Sequence, residues 1–506
     1  MGKEKQMTVE SPLTISLYDS GMTVLHKVGL AGLWMTLKAL DRDKAAVRRR
    51  PTGCGWELGD HAVKLVWDGN LAKFLDWLVA ESFKLDKKGL FWFPALGEPI
   101  ANPQQAVVLQ SAVLGSFLQH GRTRKADKSV DASGSLSVMV DDAPLVVTYR
   151  RVKHYAHQDA DFPPDGLVRL AGWLFPGGAV RHTGLGQTTA LEEPLGRALA
   201  LQFAVVGAVY FEVRRRGQGV RTAYSIVLPE VTNLNTYARA RALFVRYGIQ
   251  QLFASGSADA GMRVLAELHA AGMLADIRSA SCRVVSFGVV PWSTQQKTRV
   301  QLLTVRPGSA EGLRTFAACR AVLSPKLVRR EDKSPFWDVP LVPDMVASNA
   351  SSGQPWYIGF ADLVADKDRR EHVFRYERGG LTKMVSDKQT TPDGTDRTFI
   401  LACQEALRRY MGQKFARPGK ADWGSEFEKV RVGIARCKNA QTLRETITDF
   451  WARGGPLHQG DKSLLKSEGL WWQQVLPLFN EQNWRRAKDL ALLALASYPG
   501  GKEEAK

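Results

Sequence analysis

Cysteine is scarce in this chain, and long apolar runs are missing. The 506 residues include five cysteines, at positions 54, 282, 319, 403 and 437, and no two of them form a CxxC pair. An odd number of scattered cysteines argues against a disulfide framework. No apolar run approaches the ~18 residues that a membrane-spanning helix needs, and the first ten residues lack the apolar core of a signal peptide. We therefore expect a protein of the reducing cytoplasm that is neither secreted nor inserted into a membrane.

Catalytic signatures are missing as well. The sequence has no GxSxG and no HExxH motif, and ARPGKAD (416–422) lacks the spacing and the hydroxyl residue of a phosphate-binding loop. One cluster, HYAHQDADF, places His154, His157, Asp159 and Asp161 within eight residues, and imidazole with carboxylate is a common ligand set for divalent metals. Its spacing matches no motif, and a polar loop is the alternative interpretation. We predict no cofactor and keep a metal-dependent nuclease built on this cluster as an alternative function.

Positive charge is what the chain has in excess. Lys and Arg number 69 against 51 Asp and Glu, which gives a formal net charge of +18. The cations are spread over several clusters, and no basic amphipathic helix with bulky apolar anchors stands out. We expect such a folded chain to bind a polyanion, and nucleic acid fits better than a membrane surface.

Arginines gather at the tip of a predicted hairpin within AVYFEVRRRGQGVRTAYSIVLPEV (208–231). Alternating residues before and after the tip predict two antiparallel strands, and Gly217 and Gly219 allow a tight reversal. Arginine forks grip phosphate oxygens or read base edges, so this tip is predicted to enter a groove or to wedge a duplex. A solvated turn is the alternative. The predicted contacts are Arg214, Arg215, Arg216, Gln218 and Arg221.

Two other segments have a composition that suits nucleic acid. GRTRKADKSVDASGS (121–135) has no apolar period and is predicted to be a mobile loop whose cations clamp phosphates, with a plain surface loop as the alternative. PWSTQQKT (291–298) joins two predicted strands and offers amides and cations to bases or backbone. The predicted contacts are Arg122, Arg124, Lys125 and Lys128 in the first segment, and Gln295, Gln296, Lys297 and Arg299 in the second.

The periodicities predict an α+β fold. Residues 22–40 have helical spacing, and Gly29 and Gly32 permit another backbone to approach closely. Strand pairs and helices follow, and an irregular, proline-dotted region is predicted from Ser324 to about Trp356. We expect a mixed body with β-hairpins and packed helices over 1–384, a polar linker over 385–396 and an all-α bundle over 397–506. The bundle is predicted from helical patterns at 398–415, 421–436, 441–452, 463–477 and 481–498.

The sequence resembles the large subunit of type I CRISPR Cascade complexes. More narrowly, it resembles the MYXAN-subtype branch of the eighth Cas family, a relative of the type I-B large subunits. The similarity covers most of residues 13–384. It consists of several short phrases and includes no catalytic signature. The phrases that carry it are LTISLYDSGMTVLHKVGLAGLWMTLKAL, TNLNTYARARALF, FASGSADAGMRVLAEL, VVPWSTQQKTR and YIGFADLV.

The resemblance implies a noncatalytic DNA-recognition subunit. Family members lie near the 5′ handle of the CRISPR RNA, read a short protospacer-adjacent motif in duplex DNA and help to separate the strands for guide pairing. The implied partners are CRISPR RNA, double-stranded target DNA, the backbone Cas subunits and a recruited helicase-nuclease or, in transposon-associated systems, transposition proteins. Asn233 and Asn235, within TNLNTYARARALF, complete the predicted contacts. A purely structural scaffold subunit is the other alternative.

The C-terminal region resembles the family's small subunit. In related systems this segment is fused to the large subunit and is also made separately from an internal start. Met384 stands just before the predicted linker and is a better candidate start than Met411, which falls inside a predicted helix. Free copies are expected to line the complex and to hold the displaced DNA strand electrostatically.

Overall fold

The chain folds into two compact units. A computed structural model describes residues 10–119, 121–126, 133–159, 162–163, 166–176, 191–214, 223–274, 280–290, 297–330, 333–392, 394–416, 422–454, 458–459, 462–463 and 474–499. Among these residues, the first unit extends to Arg306 and the second begins at Pro307. Sheets concentrate in the first unit and helices in the second, so the predicted α+β class is confirmed. No described helix combines the length and the apolarity required to cross a bilayer.

The first unit mixes helices with small sheets. Its described helices are α1 Val24–Leu40, α2 Lys44–Arg49, α3 Leu71–Ser82, α4 Pro103–Gly115, α5 Leu195–Gln202, α6 Ala204–Gly207, α7 Leu234–Val245 and α8 Ser257–Ala270. Its described strands are β1 Leu13–Ser16, β2 Gly55–Leu58, β3 Ala62–Val66, β4 Lys84–Leu85, β5 Phe91–Trp92, β6 Arg124–Ala126, β7 Ser133–Val140, β8 Ala143–Arg150, β9 Val152–Tyr155, β10 Leu167–Arg169, β11 Glu192–Pro194, β12 Val209–Val213, β13 Ala223–Pro229, β14 Phe253–Ala254, β15 Cys282–Val290 and β16 Lys297–Val305.

Helix α1 lies at the centre of the first unit's core. Thr23 caps it, because its hydroxyl accepts from the His26 amide while the Thr23 amide donates to His26 Nδ1. Two glycines face helices α5 and α6 across almost no space. A Cβ at Gly29 would lie 1.9 Å from the Ala200 carbonyl oxygen, and one at Gly32 would lie 2.2 Å from that of Phe203. The predicted close approach of another backbone at these glycines is confirmed.

The first unit also contains a five-stranded sheet, in the order β14-β12-β13-β15-β16. The predicted hairpin is confirmed, since β12 and β13 pair antiparallel with Val209 opposite Val227. Both strands are almost wholly buried, which the alternating pattern did not predict. Strand β14 pairs parallel with β12, and helix α8 packs on one face of the sheet.

The second unit is mainly helical. Its described helices are α9 Ala310–Val322, α10 Val342–Ser352, α11 Phe360–Leu363, α12 Lys367–His372, α13 Arg378–Ser386, α14 Gly394–Phe415, α15 Trp423–Arg436, α16 Ala440–Gly454 and α17 Trp484–Ala496, with a π-helical turn at Val373–Glu377 between α12 and α13. Its described strands are β17 Lys326–Arg330, β18 Lys333–Asp338, β19 His458–Gln459 and β20 Lys462–Ser463.

The prediction of an irregular region from Ser324 to Trp356 is wrong. Strands β17 and β18 form a hairpin there, and helix α10 follows. The prolines caused the error, because two of them occupy positions that regular structure tolerates. Pro343 lies in the first turn of α10, where an amide has no helical partner, and Pro335 lies in a strand of a two-stranded sheet.

The predicted helices at 398–415, 421–436, 441–452 and 481–498 are confirmed by α14, α15, α16 and α17, with ends shifted by a few residues. The pattern predicted at 463–477 falls largely outside the described residues. Around it, the structure shows the short β19–β20 pair and a 3₁₀ turn at Leu476–Phe479.

Residues before the predicted bundle are fastened to its helices. The Asp489 carboxylate in α17 accepts hydrogen bonds from the amides of Gly359 at 2.9 Å and Ala361 at 2.8 Å. Trp356 Nε1 donates to the Thr390 carbonyl at 2.7 Å, and Thr390 is buried within the segment predicted to be a linker. The second unit thus begins well before residue 397. The division at 385–396 stays a prediction, because contacts inside a folded unit do not define which piece folds alone.

Candidate nucleic-acid interface

The arginine hairpin rises from a rigid stem. Strand β12 ends at Val213 and β13 begins at Ala223, so Arg215, Arg216, Gln218 and Arg221 lie outside the described residues. Opposite Glu212 stands Tyr224, whose ring lies against helix α4: a Cβ at Gly115 would lie 2.3 Å from Tyr224 Cδ2. Burial raises the pKa of Tyr224 to about 12, so the phenol stays neutral. The stem is therefore buried and tightly packed up to the last described residues, Arg214 and Ala223.

Arg214 is held in place where strand β12 ends. Its amide donates to the Ala254 carbonyl at 3.2 Å, which extends the pairing between β12 and β14 by one bond. Its guanidinium Nε donates to Glu212 Oε1 at 2.7 Å and lies 4.8 Å from the centre of the Phe253 ring. A half-exposed arginine held by a carboxylate and an aromatic face is ordered before any ligand arrives. Its predicted contact with nucleic acid stays a prediction.

The segment around Arg124 is more ordered than predicted. Arg122 lies exposed in a 3₁₀ turn, and the following residues form strand β6, which pairs with β9 so that Lys125 stands opposite His154. The predicted mobile loop is therefore wrong for residues 121–126. A three-residue polar strand has too short a pattern to be recognised from sequence. Lys128 and the side chain of Lys125 lie outside the described residues.

Arg124 itself has a structural role. Its Nη1 donates to the carbonyl oxygens of Leu114 at 2.8 Å and Leu118 at 2.6 Å, which satisfies the end of helix α4 and the turn that follows it. Burial lowers the pKa of this guanidinium, and the nearby charge of Arg150 adds to the effect. The group still carries its proton at neutral pH, because an arginine side chain does not deprotonate in proteins. Arg122 is the better placed of the two to meet a ligand.

The remaining predicted contacts divide into caps, strand residues and undescribed positions. Asn233 is the N-cap of helix α7, since its Oδ1 accepts from the Thr236 amide at 2.8 Å. Asn235 lies half-buried in the first turn of that helix. Lys297 and Arg299 belong to strand β16, opposite Val290 and Gly288. Gln295 and Gln296 lie outside the described residues.

The His/Asp cluster does not assemble as a metal site among the described residues. His157 is fully buried and surrounded by aromatic rings, with the Trp173 ring centre at 4.6 Å and that of Phe83 at 5.4 Å. Burial lowers the pKa of His157 to about 3, so its imidazole is neutral. His154 Nε2 lies 3.1 Å from Asp159 Oδ1 near the surface, and Asp161 is outside the described residues. Within the described part of the chain, no group of three or more His, Cys, Asp or Glu could hold a metal ion.

Sequence reasoning missed a group of cations beside strand β9. Arg150 and Arg151 lie at the junction of β8 and β9, and the turn that contains Lys87 and Lys88 packs against the same junction. About sixty positions separate the two lysines from the two arginines in sequence. No local signal joins them, because tertiary packing alone brings them together.

Comparison with known proteins agrees with this architecture. A family model for the DevT N-terminal domain matches residues 14–202, and one for the DevT C-terminal domain matches residues 387–506. The CRISPR-associated protein Cas8a1/Csx13 of Myxococcus xanthus (strain DK1622) is 27% identical over 538 aligned residues, which cover 99% of this chain and 91% of that protein. The two DevT domains occur in order and together span more than half of the chain. The resemblance noted in the sequence is therefore confirmed: the chain belongs to the DevT family and is a Cas8-type CRISPR-associated large subunit.

Proposed function

We propose that this chain is the noncatalytic large subunit of an RNA-guided Cascade complex, of a type I-B-like system. It recognises the protospacer-adjacent motif in duplex DNA, helps to unwind the target and stabilises the R-loop. The observation that carries the proposal is the arginine hairpin on its buried stem, in a chain of formal net charge +18 that belongs to a CRISPR-associated family.

The ordered stem of the hairpin supports a role in reading DNA. Strands β12 and β13 are fixed in a five-stranded sheet, and Arg214 is tied to Glu212 and Phe253. Arg215, Arg216 and Arg221 follow or precede these two strands in the sequence. Arginine forks that arrive in a fixed orientation distinguish base edges, because a wrong base leaves a donor unpaired.

The proposed partners follow from this role. CRISPR RNA and the backbone Cas subunits hold the chain in the complex, and double-stranded target DNA meets the hairpin. A helicase-nuclease is recruited afterwards in antiviral defence, or transposition proteins in a CRISPR-associated transposon. The neutral, buried His157 supports a noncatalytic role, because it removes one member of the cluster that a metal-dependent nuclease would use.

The proposed small subunit, made from an internal start at Met384, has a structural consequence. Met384 is buried inside helix α13, and its carbonyl accepts from the Thr390 hydroxyl at 2.6 Å. A chain that starts there lacks Gly359 and Ala361, whose amides satisfy the buried Asp489 carboxylate. Free copies must therefore satisfy Asp489 through a neighbouring subunit or through water.

The test uses the reconstituted guide-RNA complex and two target duplexes, one with the adjacent motif intact and one with it scrambled. The variant changes Arg215, Arg216 and Arg221 to alanine and leaves the structural Arg214 in place. We expect the preference for the intact motif to fall by at least ~5-fold, since one bidentate contact to a base provides about 1–3 kcal/mol of discrimination. Fluorescence anisotropy across a salt series measures both affinities.

A charge-matched control separates recognition of the motif from general electrostatic attraction to DNA. Arg42, Arg48 and Arg239 are exposed arginines elsewhere in the first unit, and changing these three to alanine removes the same charge. The control should weaken both duplexes equally and keep the preference. Unchanged preference in the hairpin variant, or Mg²⁺-dependent cutting of DNA by the complex without a recruited nuclease, would contradict the proposal.

A further inference from the structure

A tight turn and a strand junction together form a second cationic surface in the first unit. The turn joins β4 to β5 and contains Lys87, Lys88 and Gly89. It packs against Arg150 and Arg151, where β8 passes into β9. Arg151 Nε donates to the Lys88 carbonyl at 3.2 Å, and the Val152 amide donates to the Gly89 carbonyl at 3.2 Å. The two segments are therefore in direct contact.

One buried side chain fastens both segments. Gln110, in helix α4, is fully buried, and its Nε2 donates to the Gly89 carbonyl at 3.0 Å and to the Arg150 carbonyl at 2.8 Å. Its Oε1 accepts from the Phe91 amide at 2.8 Å. A buried amide with three satisfied hydrogen bonds holds its neighbours in one arrangement. The backbones of Gly89 and Arg150 are thus held by a single amide group.

Glycine is required at the apex of the turn. Gly89 has φ +74°, a backbone conformation that other residues rarely adopt. A Cβ there would lie 3.0 Å from the Val152 carbonyl oxygen and 3.2 Å from its amide nitrogen. The absence of a side chain allows the turn to contact the strand, and it brings the two lysines beside the two arginines.

The charge of this surface is strongly positive. Lys87, Lys88 and Arg150 are exposed, and Arg151 is half-buried. The carboxylate within the turn, Asp86, is engaged in shaping it, because its Oδ1 accepts from the amides of Lys88 and Leu90 at 2.8 Å each. Four cations against one carboxylate leave a net positive field of the kind that attracts phosphates.

Helix α4 connects this surface to the arginine hairpin. Gln110 holds the turn, and Gly115 at the end of the same helix lies against Tyr224 of the hairpin stem. Gly115 follows Gln110 by five residues, which is about 8 Å along the helix axis. The cationic turn and the hairpin stem are therefore both packed against this one short helix.

We propose that Lys87, Lys88, Arg150 and Arg151 bind the phosphate backbone of the target duplex beside the site of the hairpin. The proposal rests on the proposed function, since it assigns to this surface the duplex that the hairpin is proposed to read. In this proposal the contacts carry no base recognition, because contacts to phosphates position a duplex without reading its sequence. They position the DNA while the hairpin reads it.

The test is the salt dependence of target binding by the guide-RNA complex. Changing Lys87 and Lys88 to alanine should reduce the slope of log affinity against log salt by about 2, and weaken binding by roughly 10- to 30-fold at 0.15 M salt. The intact and scrambled motifs should be affected equally. The matched control changes Lys44 and Lys73, two exposed lysines of the same unit, and should leave the slope near that of wild type.

A second variant tests the geometry without removing charge. Gly89→Ala keeps all four cations but displaces the turn from Val152, and it should also weaken binding of both duplexes. An unchanged DNA slope in the double lysine variant overturns the proposal, even if the hairpin variant loses its preference and the proposed function stands. A reduced slope for the guide RNA alone, with DNA binding unaltered, also overturns it and assigns the surface to RNA. If wild-type complex binds no target at all, the proposed function fails first.

Discussion

Asp489 gives the second unit a pH-dependent stability. Its carboxylate is buried in helix α17, and burial raises its pKa from 3.8 to about 6 even though two backbone amides donate to it. The folded state then holds this proton more tightly than the unfolded state does. Stability from this site is greatest below pH 3.8 and falls as the pH rises from 3.8 to about 6, where the carboxylate ionises. A shift of this size corresponds to about 3 kcal/mol in total, of which about 2 kcal/mol falls above pH 4.5.

The substitution Asp489→Asn removes this titration while it keeps the size of the side chain. Wild-type full-length chain should lose about 2 kcal/mol of unfolding free energy relative to the variant between pH 4.5 and pH 7.5. Hydrogen exchange followed by mass spectrometry in urea, on peptides from 484–496, measures the difference at each pH. Asp368→Asn removes an exposed carboxylate from the same unit and is the control. A difference between wild type and Asp489→Asn that stays constant across this range would refute the reasoning.

Two further substitutions test the packing of the first unit. Gly29→Ala should lower the unfolding free energy by at least ~1–3 kcal/mol in a urea titration, since its Cβ would lie 1.9 Å from a backbone oxygen. The control is Gly412→Ala in α14, where the new Cβ meets nothing within 4 Å outside its own stretch of helix. This control should raise the unfolding free energy by up to ~1 kcal/mol. Ser286→Ala should lower the unfolding free energy measured by calorimetry by about 1–3 kcal/mol, because its buried hydroxyl lies 2.5 Å from that of Ser225 and 2.7 Å from that of Ser257. The control, Ser386→Ala at an exposed position, should change the unfolding free energy little.

Local sequence patterns predicted those elements in which the apolar period marks the face that packs in the folded protein. Helix α1 shows this, because its apolar spacing and its two glycines both describe the face that meets α5 and α6. The hairpin strands were predicted by β-branched and aromatic residues. The alternation did not reveal that both faces of β12 are buried, since burial depends on β14 and α8, which come later in the chain.

The site was less predictable than the fold. A row of arginines indicates affinity for phosphate, but it does not show which of them the protein uses for itself. Arg124 satisfies carbonyls at the end of α4, and Arg214 pairs with Glu212, and both roles depend on partners that sequence proximity does not identify as such. The surface at Lys87 and Arg150 was invisible because Gln110 assembles it from distant segments. Charge counts therefore predict the class of ligand, and tertiary structure decides which cations are free to meet it.

We propose that this chain opens duplex DNA beside a short motif so that the guide RNA can pair. The most direct measurement places 2-aminopurine in the base pairs next to the motif and follows its fluorescence when guide-RNA complex is added, with this chain present or left out. We predict a rise in fluorescence only when both the chain and the intact motif are present. Equal strand opening by a complex that lacks the chain, or equal opening of a duplex with a scrambled motif, would contradict the account.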